Sequence, residues 1–320
     1  MKKAIVVGSG AGGSTVARQL QGTFHVTVFE AGDSFHPFTG NLSMLERLKR
    51  RTGSFIDERL IQWMVPAMKV GRTGDGLVLV RGVGQGGTTT ISTGSALRQD
   101  QDLKGLGIDL DPEFEELSRE IPIFADHEST WHAPTHEAYA ASKALGLHPS
   151  PTPKMIRRER CVACGACVLG CPRGAKWDSR EFLRQAVDRG ALVVSGRRVK
   201  HVTIEDGRAT GVIVTGGGKT ELHRADLVVL SAGGLGTPAI LAQSGIACEP
   251  RLFVDPVLCV ATRWDKAAQN REIPMPFTIQ GDGFMISPYF DYLSYFFNRS
   301  WRYPAADIFS LMIKLADTNS

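Results

Sequence analysis

The chain has 320 residues, 42% hydrophobic and 22% charged, with 37 Lys and Arg against 33 Asp and Glu for a net charge of +4. That apolar content supports a buried core and excludes a disordered chain, a coiled coil and a collagen-like fibre. The mild charge excess points to neither nucleic acid nor a membrane surface.

Two residue types stand out. There are 35 Gly, well above the usual ~7%, and 6 Cys, four of them between positions 161 and 171. The opening MKKAIVVGSGAGG begins like a secretory leader, but its apolar run, residues 4–7, is far shorter than the roughly 7–15 residues of a leader core. It predicts a buried strand. No stretch reaches the ~18 apolar residues of a membrane helix. Cysteines gathered in one run are not the scatter of a disulfide framework. The expectation is a cytoplasmic chain with no transmembrane segment.

In chain order, strand 4–7 runs into Gly8-Ser9-Gly10-Ala11-Gly12-Gly13, a G-x-G-x-x-G turn. A helix over 14–20 and a strand over 25–29 follow, ending in Glu30. This is a dinucleotide-binding βαβ unit. Gly8 permits the tight turn, Gly10 admits a pyrophosphate, and Gly13 lets the helix pack on the strand. The helix N-terminus holds phosphate charge, and Glu30 accepts from ribose hydroxyls while repelling a 2′-phosphate. The unit alone does not separate NAD from FAD.

Residues 35–75 include a basic helix-like stretch at 45–51. Strand 77–80 then leads into Arg81-Gly82-Val83-Gly84-Gln85-Gly86-Gly87-Thr88, whose N–H groups and hydroxyls suit a second part of an elongated cofactor. Residues 100–160 are polar and Pro-rich, with helices predicted at 112–120 and near 136–145. The basic run 154–160 reads as a solvated face.

Cys161-x2-Cys164-x2-Cys167-x3-Cys171-Pro172 reproduces the bacterial ferredoxin run. In two-cluster ferredoxins the fourth Cys of such a run serves the other cluster. A single [4Fe–4S] centre here needs Cys171 to fold back, or Cys248 or Cys259 as a remote ligand. Zinc fits less well, because the run lacks a spacer between two knuckles. A compact loop that binds nothing, or forms disulfides, stays open as the alternative.

Strands are predicted at 192–194, 199–204 and 209–214, with turns at 205–207 and 216–218. A buried strand at 226–231 enters the small-residue turn Ala232-Gly233-Gly234. Thr237-Pro238 is expected to start a helix that ends at Ser244-Gly245. The aromatic stretch 277–297 reads as strands, and 305–315 as a helix.

Three of these stretches, residues 7–30, 81–88 and 230–246, resemble in order the glucose-methanol-choline (GMC) family of FAD-dependent oxidoreductases. The resemblance implies FAD rather than NAD. It places Gly8, Gly10, Gly12, Gly13 and Glu30 on the ADP half. It sets Arg81, Gly82, Gly86, Gly87 and Thr88 along the pyrophosphate toward the flavin. Val199 would meet the adenine through its backbone, and Ala232 and Gly233 would pass near the cofactor again. Thr88-Thr89 stands where the family more often has Ser-Ser. Some similar sequences carry a Cys-rich stretch followed by Gly-Ala-Lys, here 174–176.

The implied fold is α/β, α+β overall. Residues 1–34, 76–100 and 190–252 form a discontinuous Rossmann-like FAD-binding domain. Segments 35–75 and 101–189 are insertions, the latter holding the cysteine run at 161–172. Residues 253–320 begin a mainly antiparallel substrate domain that is expected to be incomplete.

The implied activity is oxidation of an alcohol CH–OH group. Hydride passes to flavin N5, and electrons pass to an acceptor protein, a quinone or an iron–sulfur centre. The family's catalytic His lies in its C-terminal third. Here the eight His stand at 25, 36, 127, 132, 136, 148, 201 and 223, so none takes that role. His132 and His136, with His127 nearby, read as a solvated loop, because Pro134 breaks the helix that would align a metal-binding pair. The alternative is a truncated, non-catalytic flavin-binding piece. An NAD-dependent dehydrogenase leaves the second and third motifs unexplained.

Overall fold

The computed structural model describes residues 1–52, 58–74, 76–249, 254–298 and 300–316, with backbone alone for 58–60. The chain divides into two units. The first comprises Met1–Pro37, Glu58–Ile91 and Asp178–Leu252; the second comprises Phe38–Asp57, Ser92–Trp177 and Phe253–Ser320. The boundary expected between 252 and 253 lies outside the described residues.

The first unit is built on a parallel four-stranded sheet in the order Leu227–Leu230, Lys2–Val7, Phe24–Phe29, Leu192–Val194. Val7 stands opposite both Leu230 and Phe29, and Phe29 opposite Val194. The period-two alternation of a strand sorts the first strand's side chains between two cores. Ala4 and Val6 join Val26, Val28, Ala17, Leu183 and Ala186 beneath the helices Ala11–Gln19 and Arg180–Asp188. Ile5 and Val7 join Phe29, Val199, Val212, Val214 and Ile240 on the opposite face.

That second layer is an antiparallel three-stranded sheet, Arg198–Glu205, Arg208–Gly216 and Lys219–Arg224, with the helix Gly233–Gln243. Burial on both faces explains why residues 4–7 are uniformly apolar. Each buried Val or Ile contributes about 1.5–3 kcal/mol. The helix expected to start at Pro238 begins instead at Gly233. Pro238 lies inside it, where its missing N–H removes one bond back to Gly234.

The second unit carries an antiparallel five-stranded sheet in the order Val257–Arg263, Ile308–Leu315, Phe284–Pro288, Phe277–Gly281, Ser150–Pro151. The helix expected over 305–315 is thus a strand. Leu311, Met312 and Leu315 suit a helix, but Ile308–Leu315 is laddered on both sides, opposite Cys259 at Met312 and opposite Ile286 at Ile313. Tertiary pairing overrides local propensity here.

The aromatic stretch 277–297 also departs from expectation. Two strands are followed by the helix Tyr292–Phe297, because the Asp291 carboxylate accepts from the N–H groups of Leu293 and Ser294 at 3.1 and 3.0 Å, an N-cap. Lys49, on the helix Leu42–Thr52, donates to the carbonyls of Tyr295, Asn298 and Trp301 at that helix's far end. Among the described residues, no helix is long and apolar enough to cross a membrane.

Candidate functional site

In the first unit the three glycine turns meet at the carboxyl edge of the parallel sheet. Gly8 has φ +95°, and a Cβ there would lie 2.4 Å from the Ser231 carbonyl oxygen. Only glycine fits that approach between the first turn and the third. A Cβ on Gly13 would fall 1.9 Å from the Gly8 oxygen, so the helix sits directly on the strand end. The second turn closes the third side: Gly86 N–H donates to Ser9 O at 3.1 Å, and a Cβ on Gly87 would lie 2.8 Å from Gly10 Cα. Within that turn, Gly82 N–H donates to Thr88 Oγ1 at 3.1 Å.

Gly10 precedes the Ala11–Gln19 helix. No side chain caps that helix, and its first turn carries no acidic residue. Its N–H groups and positive dipole end therefore face the point where the turns converge, an arrangement suited to a phosphate. Glu30 is buried. Its Oε2 accepts from Ser9 N–H at 2.9 Å and Ser9 Oγ at 2.8 Å, and its Oε1 from Gly32 N–H at 2.9 Å. A carboxylate offers about four acceptor positions, so one remains on Oε1.

The structure therefore gathers Gly8, Gly10, Gly12, Gly13, Glu30, Gly82, Gly86, Gly87 and Thr88 around one point. Ala232 and Gly233 follow the Ser231 contact, and Ala232 N–H donates to Thr237 Oγ1 at 3.0 Å. Arg81 is an exposed residue of the Val78–Gly82 strand. Val199 is a core residue opposite Val214 in the antiparallel sheet. Sequence reasoning missed Ser9, a variable position in the glycine motif whose backbone and hydroxyl both secure Glu30. It also missed Ser231, which donates its N–H to Val7 O at 2.8 Å and so aligns the third turn with the first.

In the second unit Cys161, Cys164, Cys167 and Cys171 all line one cavity. It holds about 370 Å³ of non-atom space, part of it open to solvent, and Ile156, Ala175 and Ile273 form its apolar wall. Left-handed backbone at Ala163 (φ 50°) and Gly165 (φ 74°) curls the loop. Ala175 N–H donates to Cys171 Sγ at 3.3 Å. None of the six cysteines forms a disulfide. Burial pushes the Cys167 thiol up to about 11, with Lys154 and Lys176 pulling the other way. Among the described residues, no three His, Cys, Asp or Glu side chains converge as ligands of a single ion.

Two sequence expectations are corrected in this unit. Lys154 is not part of a solvated face. It is fully buried, its Nζ donating to Ser95 Oγ at 3.0 Å and Thr93 O at 3.5 Å, and burial lowers it to about 7. The cause is a period-two pattern that turns Thr152, Lys154 and Ile156 inward while Arg158 to Arg160 stay exposed. His127 is not in a solvated loop either. It is 1% exposed, with Nε2 against Thr152 O at 2.9 Å and Nδ1 accepting from Trp131 Nε1 at 3.0 Å. Pro134 opens the helix Ala133–Ala144 rather than breaking one, since a first-turn residue needs no N–H bond.

A parallel sheet with glycine turns converging at its carboxyl edge, and an antiparallel sheet in a second unit, define an α/β protein of the dinucleotide-fold type. The GMC oxidoreductase model matches residues 2–258, and the chain belongs to that family. It is 32% identical over 277 residues to an uncharacterised GMC-type oxidoreductase of Mycobacterium tuberculosis, covering 78% of this chain and 40% of that protein. The chain thus spans less than half the length of that relative.

Among solved structures, pyridoxine 4-oxidase from Mesorbium loti superposes with a TM-score of 0.69 at 16% identity, covering 100% of this chain and 72% of that one. A formate oxidase of Aspergillus oryzae, studied for its FAD modification, superposes at 0.61 with 15% identity, covering 98% and 72%. At those identities the likeness is one of fold, and it agrees with the mixed α/β class.

Proposed function

We propose that the chain binds FAD in the glycine cradle of its first unit and serves oxidation of an alcohol CH–OH group, with an acceptor protein or a quinone receiving the electrons. The observation that carries this reading is the convergence of three glycine turns on one uncapped helix N-terminus. Membership of an oxidoreductase family supports it, as does a fold shared with a formate oxidase studied for its FAD.

The residues present fit the cofactor. Gly10 leaves the backbone bare beside the helix end, where N–H groups would meet the pyrophosphate. The free acceptor position on Glu30 suits a ribose hydroxyl, and its charge disfavours a 2′-phosphate. Thr88, Ala232 and Gly233 would edge the route toward the flavin. When bound, FAD supplies a hydride-accepting ring. The protein's part is to fix that ring, balance the phosphate charge and shield the site from water. His127 is not the base, because both its ring nitrogens are already engaged inside the second unit.

The purified chain should show flavin absorption bands and release FAD on denaturation. Anaerobic addition of an alcohol panel should bleach those bands. A protein that neither carries nor takes up FAD overturns the reading. Bound flavin that no alcohol bleaches overturns its catalytic half and leaves a flavin-binding role.

A further inference from the structure

Two lysine side chains are buried in the second unit beside the cysteine loop. Lys154 is 0% and Lys176 3% exposed. The Lys154 ammonium reaches only neutral oxygens, those of Ser95 and Thr93, and Lys176 Nζ donates to Ser92 O at 2.9 Å. The charges acting on Lys154 are the Cys167 sulfur and Lys176 itself, the second of these repulsive. Burying the Lys154 cation without a counter-charge costs several kcal/mol. Neutral thiols do not supply one.

Coordinated cysteines do, because a metal-bound thiol is deprotonated. Four thiolates on an oxidised four-iron, four-sulfide core leave a dianion, an anion of the sign that Lys154 lacks. A zinc ion on four thiolates is also a dianion, so geometry decides between them. Zinc draws four sulfurs to one tetrahedral point, each about 2.3 Å away. A four-iron core instead ties each sulfur to a different iron, so its ligands ring a cavity, as these do.

The same cavity identifies the fourth ligand. Cys171 lines it with the other three. The residues that line it include neither Cys248 nor Cys259, which stands in the Val257–Arg263 strand opposite Met312. The Ala175 N–H to Cys171 Sγ contact is the kind of backbone donation that stabilises a cluster thiolate.

We infer that Cys161, Cys164, Cys167 and Cys171 hold a single [4Fe–4S] cluster, with Lys154 as a buried counter-charge. This goes beyond the flavin reading and stands or falls separately from it. Reduction adds one electron to the cluster and no proton, so a buried ammonium favours the reduced state and raises the potential.

The test uses the full chain, purified anaerobically from iron-supplemented cells and assayed for iron, acid-labile sulfide, zinc and flavin. About four irons and four sulfides per chain are expected, with an electron paramagnetic resonance signal after dithionite reduction. Cys164→Ser and Cys171→Ser should lose iron and sulfide while keeping flavin, and Cys248→Ser should keep both. Lys154→Met should retain iron with a more negative midpoint potential. Zinc without sulfide, iron below about one per chain, or equal iron loss in Cys248→Ser and Cys164→Ser would overturn the cluster. An unchanged potential in iron-loaded Lys154→Met would overturn the counter-charge role.

Discussion

A side-chain carbon on Gly87 would lie 2.8 Å from the Cα of Gly10. The two residues are far apart in sequence, and the close approach of the two turns leaves no room for a side chain at Gly87, which also has φ +53°. The reverse substitution is not equivalent. A Cβ on Gly10 would meet Gly87 Cα at 3.8 Å, an ordinary contact, and Gly10 has φ −71°, which any residue adopts.

Gly10→Ala should therefore fold like the parent and fail mainly in cofactor binding. Its melting temperature without FAD should match the parent's. Its FAD affinity should fall by at least about tenfold, or ~1.4 kcal/mol, read by fluorescence titration. Equal affinity for the two proteins would show that the cradle is not the cofactor site.

Gly8→Ala should fail in folding. The residue must keep φ +95° and place its Cβ 2.4 Å from the Ser231 oxygen. A loss above about 3 kcal/mol is expected, seen as insoluble protein or a collapsed urea midpoint.

Glu30→Gln should weaken the first unit even without cofactor. The carboxylate takes three donors, two from Ser9 and one from Gly32. An amide turns an NH2 group toward at least one of them and leaves a buried N–H without an acceptor. The expected cost is about 1–3 kcal/mol, measured by urea denaturation of the apoprotein.

His127 gives the second unit an acid limit. Its Nδ1 accepts from Trp131, so the folded ring is neutral and carries its proton on Nε2. Burial holds its pKa below the ordinary 6.5. Lys154 pushes the same way, while the Thr152 carbonyl, Glu128 and Asp126 oppose. As pH falls through about 6.5, the unfolded chain takes up a proton that the folded chain refuses. Stability from this site is thus complete above that pH and declines below it. Urea midpoints should drop between pH 7 and pH 5, and the drop should be smaller in His127→Gln. A variant with the parent's pH profile would remove His127 as the cause.

Lys49→Met tests the anchor of the Tyr292–Phe297 helix. It removes the donor to three carbonyls, at Tyr295, Asn298 and Trp301. A destabilisation of about 1–3 kcal/mol is expected, with altered tryptophan fluorescence from Trp301.

The cradle was legible in the sequence because its chemistry is local. Gly8, Gly10 and Gly13 act at fixed spacing beside a strand and a helix, and Glu30 ends the next strand. What was not legible depended on distant partners. Ile308–Leu315 reads as helix until its two neighbouring strands are known. Lys154 reads as one more basic residue until Ser95 and Thr93 are found against it. The pairing of Ser9 with Glu30 hid in a motif position that accepts any residue. The cysteine spacing showed which atoms could act together but not that Cys171 turns back to join the other three.

The strand order of the parallel sheet bears on how the protein is made. Lys2–Val7 pairs with Leu227–Leu230, and Lys3 N–H reaches the Asp226 carboxylate across 223 residues. On the ribosome, the glycine turn emerges on the order of ten to forty-five seconds before the backbone it fits against. For that interval an apolar strand has one bare edge and no lid over its turn. Early release, or a delay late in translation, would expose that edge to neighbouring nascent chains, so the interval favours early shelter by a chaperone.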